Sequence, residues 1–256
     1  MRADVYLFRY GFASSRENAK KSIEAGLCVI DGTKIIRPSE NIDESAAHAV
    51  ICENPVPYVG RGGLKLEAAL DGFSVDPDGL VCIDIGASTG GFTDCLLKRG
   101  AKKVFAVDSG HGQLAPSLLA DSRVVSVEGF NARNLSLSVT GEKCGLAVMD
   151  VSFISQTLIL PSLPELLEPD GLCITLIKPQ FEAGRACVGK GGIVKNSADR
   201  RRSCEKVAVC AASCGLYMQG LIKSPVTGGD GNTEFLALFG RNYIHEYGYY
   251  FGNISF

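Results

Sequence analysis

Leu80-Val81-Cys82-Ile83-Asp84-Ile85-Gly86-Ala87-Ser88-Thr89-Gly90-Gly91-Phe92-Thr93 passes from an apolar strand through a glycine-rich turn into the start of a helix. A strand this continuously apolar is expected to be buried on both faces. Phe92 to Arg99 has helical spacing, and Gly100 sits where a helix stops. The alternation repeats outward from this point. Leu80–Ile85, Lys103–Val107, Val124–Val127, Gly145–Met149 and Leu172–Ile177 read as strands with helical patterns between them. Such β-α alternation predicts a mostly parallel sheet covered by helices, a Rossmann-like α/β domain. Arg200–Cys214 reads as a helix with an apolar stripe. Strands Leu216–Ile222 and Glu234–Phe239, joined by the turn-rich Thr227–Asn232, read as a closing hairpin at the sheet edge.

The residues before this domain have a different pattern. Ser14-Ser15-Arg16-Glu17 opens a helix with a capping serine, Ala19, Ile23 and Leu27 recur at helical spacing, and Gly26 sits at its end. Leu27–Ile30 and Thr33–Arg37 flank the hairpin signal Asp31-Gly32, and Ala49–Cys52 reads as a third strand. We read residues 1–53 as a small α+β domain and 54–60 as a stiff linker around Pro55 and Pro57. Residues 61–242 form the large domain, and 243–256 a tail of unassigned structure.

The 256 residues carry a net charge of −2, so the chain has no global attraction for polyanions and any basic surface must be local. Arg2, Arg16, Lys20 and Lys21 in the small domain, with Arg61 after the linker, are the candidate phosphate contacts. Ten cysteines are scattered without a Cys-x-x-Cys pair, and there are three histidines, which argues against a zinc site. The cysteines read as small buried hydrophobes in a reducing cytosol. With no apolar leader core and no apolar run near ~20 residues, the expected setting is cytoplasmic, with neither membrane nor metal.

The glycine loop suits a nucleotide-like ligand at the carboxyl ends of the strands. The spacing Gly86, Gly90, Gly91 departs from the dinucleotide pattern, and Asp84 would repel a pyrophosphate but could hold an amino group. S-adenosylmethionine carries an amino acid and a sulfonium, and fits better. The candidate cofactor-binding residues are Asp84, Gly86, Ala87, Ser88, Gly90, Gly91, Phe92, Asp108, Asn131 and Asp150. Asp108 ends the second strand, where a carboxylate can accept from ribose hydroxyls. A plain tight turn, or a strand-end carboxylate without a ligand, is the competing reading.

Charges also stand where apolar residues would be expected. Asp150 and Lys178 end neighbouring apolar strands, Glu234 begins another, and Lys65 sits between Leu64 and Leu66 in an apolar helix. At these positions the chain resembles the TlyA family of rRNA methyltransferases, historically labelled hemolysins, and more distantly the FtsJ-type ribose 2′-O-methyltransferases. The resemblance rests on Arg61-Gly62-Gly63-Leu64-Lys65-Leu66-Glu67, the glycine loop, Asn131-Ala132-Arg133, Asp150-Val151-Ser152-Phe153-Ile154-Ser155, Lys178-Pro179-Gln180-Phe181-Glu182, Gly191-Gly192-Ile193-Val194 and Gly231-Asn232-Thr233-Glu234-Phe235. It implies a seven-stranded methyltransferase domain and an N-terminal alpha-L RNA-binding domain. It also implies a catalytic tetrad of Lys65, Asp150, Lys178 and Glu234, with S-adenosylmethionine as methyl donor and cytidines of ribosomal RNA or ribosomal subunits as substrate. A membrane-acting hemolysin, an inactive RNA-binding protein and a methyltransferase of protein or small molecules are the rival readings.

Overall fold

The computed structural model describes residues 1–13, 15–52, 57–228, 231–252 and 254–256. Ser14 of the capping pair, the linker core 53–56 and the turn residues 229–230 lie outside the described residues. The chain divides into two compact units, Met1–Pro57 and Tyr58–Phe256.

In the first unit, α1 (Ala3–Arg9) and α2 (Arg16–Glu24) accompany a small antiparallel sheet of β1 (Cys28–Ile30), β2 (Thr33–Lys34) and β3 (Val50–Cys52), in the order β2-β1-β3. The Ser15 hydroxyl caps α2 by accepting from the Asn18 backbone N–H at 3.1 Å. Asp31 and Gly32 both take positive φ, as a two-residue hairpin turn of this kind requires. The return strand, Thr33–Lys34, is shorter than Thr33–Arg37; beyond it the Ile35 N–H still donates to the Cys28 carbonyl at 2.9 Å, and the Ile35 side chain is buried. Leu7, Ala19, Ile23 and Cys28 are fully or almost fully buried there. The pairing of β1 with β3 sets Cys28 opposite Cys52, Cα atoms 4.1 Å apart, and the two form a disulfide. Reading every cysteine as a free thiol is therefore corrected at this pair. Cys82, Cys95, Cys144, Cys173 and Cys204 are buried free thiols. Desolvation pushes Cys82, Cys95, Cys144 and Cys173 each up to about 12, so they are unreactive packing residues.

The second unit opens with α3 (Gly62–Phe73) and continues β4 (Val81–Ile85), α4 (Gly91–Lys98), β5 (Lys103–Val107), α5 (Pro116–Leu119) and β6 (Val124–Val127). It then runs α6 (Leu137–Thr140), β7 (Cys144–Met149), α7 (Leu163–Leu166), β8 (Leu167–Ile177), α8 (Pro179–Glu182), α9 (Ser197–Ser213), β9 (Tyr217–Lys223), β10 (Phe235–Gly240) and α10 (Tyr247–Phe251). Among the described residues these strands form a seven-stranded sheet, β6-β5-β4-β7-β8-β10-β9. It is parallel from β6 to β8 and antiparallel where β10 joins β8 and β9. This is the expected Rossmann-like domain, with one refinement: β10 lies inside the sheet and β9 forms the edge.

Two boundaries shift for physical reasons. Tyr58–Gly60, expected in the linker, belong to the second unit. Tyr58 is buried, its hydroxyl donates to Glu67 Oε1 at 2.7 Å, and Val59 N–H donates to Asp94 Oδ2 at 2.8 Å. The segment after 242 anchors on the core through particular rings: Phe251 is buried, and the Phe256 ring lies 5.1 Å from that of Phe235.

Order reverses between β4 and β7, with β5 on one side and β7 on the other, so a crevice opens beyond Ile85 and Met149. The helix α3 is held close to this crevice by glycine. A Cβ on Gly63 would come within 2.2 Å of Tyr58 Cγ. Gly63→Ala is therefore expected to destabilise the protein by about 1–3 kcal/mol through overpacking, although alanine is the better helix former. Denaturant unfolding of the two proteins checks this.

Candidate active site

The crevice holds two adjoining cavities, both walled by Gly86, Ser88, Asp150 and Ser152. The larger, about 670 Å³, is lined by Val107, Asp108, Phe130, Asn131 and Ile159. The smaller, about 280 Å³, is lined by Arg61, Lys65, Phe92 and Lys178.

Glycine in the loop answers to close approach. Gly86 has φ +88, and a Cβ there would lie 2.5 Å from the Asp150 carbonyl oxygen. Gly90, at φ +96, leaves no room against Leu118 Cδ1. Asp108 is fixed by two backbone donors, Ser88 N–H at 2.8 Å and Gly110 N–H at 2.7 Å. Each oxygen keeps further acceptor capacity toward the larger cavity. Asn131 is fixed similarly, accepting from Arg133 N–H at 3.1 Å. The larger cavity thus offers apolar walls for a planar base and a carboxylate for a sugar diol, which fits an adenosyl group. Ala87, Ser88, Gly91 and Phe92 line the smaller cavity with Gly86, while Gly90 serves the turn and lines neither.

Asp84 departs from expectation. It is fully buried, accepts from the Thr93 hydroxyl at 2.7 Å and lines neither cavity. It anchors the loop to α4 rather than meeting an amino group directly. Its second oxygen, Oδ1, is buried without a hydrogen bond among the described residues. Desolvation pushes the carboxyl up to about 7, the nearby Asp150 adds to this, and the Thr93 hydroxyl pulls against it.

The two lysines and two acids are brought together as two ion pairs. Lys65 Nζ on α3 donates to Glu234 Oε2 at 2.5 Å, and both side chains are nearly inaccessible. Lys178 Nζ lies 2.6 Å from Asp150 Oδ1 and donates to Ser152 Oγ at 2.8 Å. The Asp150 contact is electrostatic rather than an aimed hydrogen bond, so Oδ1 stays buried without a donor. Pairing of Phe235 with Ile177 brings Glu234 to the level of Lys178 at the end of the sheet. Asn232, buried, holds the approach to Glu234: its amide accepts from Val194 N–H at 3.0 Å and donates to the Gly192 carbonyl at 2.9 Å. Sequence reasoning missed Ser152 and Asn232 as site residues, although the motifs containing both were visible.

The basic candidates separate. Arg2, Arg16, Lys20 and Lys21 belong to the first unit, where the side chains of Arg2 and Arg16 are about half exposed and both bond the buried Asp4, Arg2 Nε to Oδ1 and Arg16 Nε to Oδ2, each at 2.9 Å. Burial pushes the Asp4 carboxyl up, but the two guanidiniums outweigh this and hold it below its ordinary range. Lys20 and Lys21 are exposed on α2. Arg61 belongs to the second unit and lines the smaller cavity beside Lys65, which corrects its placement with the other four.

Residues 58–241 match the model of the FtsJ-like methyltransferase family, and residues 1–47 match that of the S4 domain. The chain is 42% identical over 91% of its length to the 16S/23S rRNA (cytidine-2′-O)-methyltransferase TlyA of Mycobacterium tuberculosis, covering 87% of that protein. It is 41% identical over 93% of its length to hemolysin A of Brachyspira hyodysenteriae, covering 99% of it. An S-adenosylmethionine dependent methyltransferase of Mesorhizobium loti superposes with a TM-score of 0.55 at 16% identity, over 71% of this chain and all of that one, a likeness of fold alone. Among the described residues no helix is long and apolar enough to cross a membrane, and no cluster of metal-ligating side chains is present.

The buried Asp84 makes stability depend on pH. A carboxyl that keeps its proton to about 7 when folded, and to its ordinary value when unfolded, favours the folded state at low pH. That contribution is lost as pH rises through the interval between the two. Asp84→Asn is expected to remove the loss, so its stability relative to wild type should grow from pH 4 to pH 7. Unfolding midpoints that run parallel across this range would contradict the assignment.

Proposed function

The chain belongs to the FtsJ-like methyltransferase family, and from that premise we propose that it methylates the 2′-hydroxyl of a cytidine ribose in ribosomal RNA, acting on ribosomal subunits in the cytoplasm. The observation that carries this reading is the pair of lysine–carboxylate contacts beside the glycine loop, in a chain that also carries an S4 domain. S-adenosylmethionine, the methyl donor of the family, supplies when bound an electrophilic methyl group on a sulfonium. Asp108 and Asn131 would hold its adenosyl end in the larger cavity, and Gly86, Ala87, Ser88 and Gly91 line the smaller cavity together with Asp150.

A ribose hydroxyl is a weak acid and a poor nucleophile, so the protein must orient it and assist loss of its proton. Lys178 orients the hydroxyl, whose proton is released to water as the oxygen takes up the methyl group. Ser152 takes one direction of the lysine amino group and Asp150 pairs with its charge, which leaves N–H capacity for the acceptor oxygen. Asp150, paired with the Lys178 charge through Oδ1, holds the lysine in place. Lys65, held by Glu234, adds positive potential in the same cleft and favours the developing alkoxide. Arg61, from the same cleft, is suited to a backbone phosphate of the bound nucleotide. The four basic residues of the S4 unit contribute salt-dependent affinity for the RNA backbone.

The reading is tested with purified protein, labelled methyl donor and isolated ribosomal subunits, followed by nuclease digestion and identification of the labelled nucleoside. A 2′-O-methylcytidine is expected; label confined to bases or to ribosomal protein would overturn it. Lys178→Ala is expected to lower the single-turnover rate by about 10²-fold, the cost of a misplaced acceptor, while donor affinity is retained. Replacing Lys20 and Lys21 with Glu is expected to weaken subunit binding and flatten its dependence on salt, with the fold and donor affinity unchanged.

A further inference from the structure

A third cavity, of about 460 Å³, lies beside the active site and takes no part in the mechanism above. It adjoins the larger cavity, and Phe153 and Ile154 line both. Its other walls are Gln180, Phe181, Arg185 and Val188.

Three features of this cavity call for a ligand. Phe153 is 92% exposed, the most exposed of the large hydrophobic side chains described. Its φ is +63, a conformation that a bulky residue rarely adopts and that must be maintained by its surroundings. Those surroundings are rigid: Ser155 Oγ donates to Glu182 Oε2 at 2.5 Å, and Gln156 N–H donates to Glu182 Oε1 at 2.8 Å. The Phe181 ring stands 5.2 Å from Phe153, tilted by 51°, so the two make an open aromatic corner rather than a closed stack. Beside the corner, Gln180 Oε1 is buried and accepts no hydrogen bond among the described residues. A buried amide oxygen without a donor is costly unless something brings one.

We propose that this cavity is a subsite for a second unpaired base of the RNA, from a nucleotide next to the methyl acceptor, and that it rests on the reading of the protein as an rRNA ribose methyltransferase. The ring of that base packs against Phe181, with Phe153 as the wall between it and the methyl-transfer site. Rotation of the Gln180 amide turns its otherwise buried Oε1 to the cavity, where it accepts from the exocyclic amino group of the base, which selects cytosine, adenine or guanine over uracil. Arg185, exposed at the rim, meets the accompanying phosphate. Unstacked bases on aromatic side chains, read along their edges by amides, are how proteins recognise single-stranded RNA. The subsite would thus require two adjacent nucleotides to leave their helix and would set the sequence preference beside the acceptor.

The test compares wild type with Phe181→Leu, Phe181→Tyr and Gln180→Leu, using isolated ribosomal subunits that wild-type protein methylates. KM for subunits, kcat, donor affinity and thermal stability are measured for each. Phe181→Leu is expected to raise KM about 5- to 150-fold, the worth of stacking one base, with donor affinity unchanged. Phe181→Tyr, which keeps a ring, should stay close to wild type. Gln180→Leu should hold or gain stability, since it removes a polar atom without a partner, yet raise KM; this variant separates recognition from folding. KM unchanged in both Phe181→Leu and Gln180→Leu, or a loss confined to kcat, would overturn the subsite while the ribose methyltransferase reading stands. Wild-type protein that places no methyl group on rRNA ribose would overturn that reading, and the subsite with it.

Discussion

A lysine taken out of water must keep a carboxylate beside it, and the Lys65–Glu234 pair imposes that condition on elements that are 169 residues apart in sequence. Taking one partner away leaves a buried charge uncompensated. The pair therefore ties α3 to the start of β10 at the end of the sheet where Lys178 emerges. It also fixes α3 against the glycine loop, where Gly91 and Gly63 approach so closely that a Cβ on Gly91 would stand 3.0 Å from Gly63 N. Helix, loop and strand ends are mutually positioned, and the cleft is what remains between them.

Sheet topology supplies the second half of the site. Reversal of strand order between β4 and β7 sets Gly86 against the Asp150 backbone, so the glycine loop and this acid are one strand spacing apart. Asp150 then reaches Lys178 from the neighbouring strand β8. The chemistry assigned here is mainly positioning, for which rigid strand ends are well suited.

The fold was readable because its strands are short apolar runs at even intervals, and periodicity survives without tertiary information. Asp150, Lys178 and Glu234 were readable for a related reason: charge at the end of an apolar strand has few cheap explanations. Other features depend on contacts that no local pattern encodes. Asp84 looked like a cavity residue because it precedes the loop, but it is fully buried and bonded to the Thr93 hydroxyl of α4. Ser152 and Asn232 are unremarkable polar residues until two loops meet over them. Arg61 read as part of a basic surface and instead enters the cleft, since α3 begins beside it. Cys28 and Cys52 pair through a register set across an irregular connection of some length, where sequence offers no periodicity to follow.

The most direct test of the account is a double-mutant cycle on the buried pair, with Lys65→Met, Glu234→Gln and the combined variant compared for stability and for single-turnover methyl transfer. Each single change should cost about 3–5 kcal/mol, the price of an orphaned buried charge, and the combined variant should recover most of it. Methyl transfer should remain lost in all three. Additive destabilisation in the combined variant, or a combined variant that transfers methyl groups at the wild-type rate, would contradict the claim that this pair both builds the cleft and acts within it.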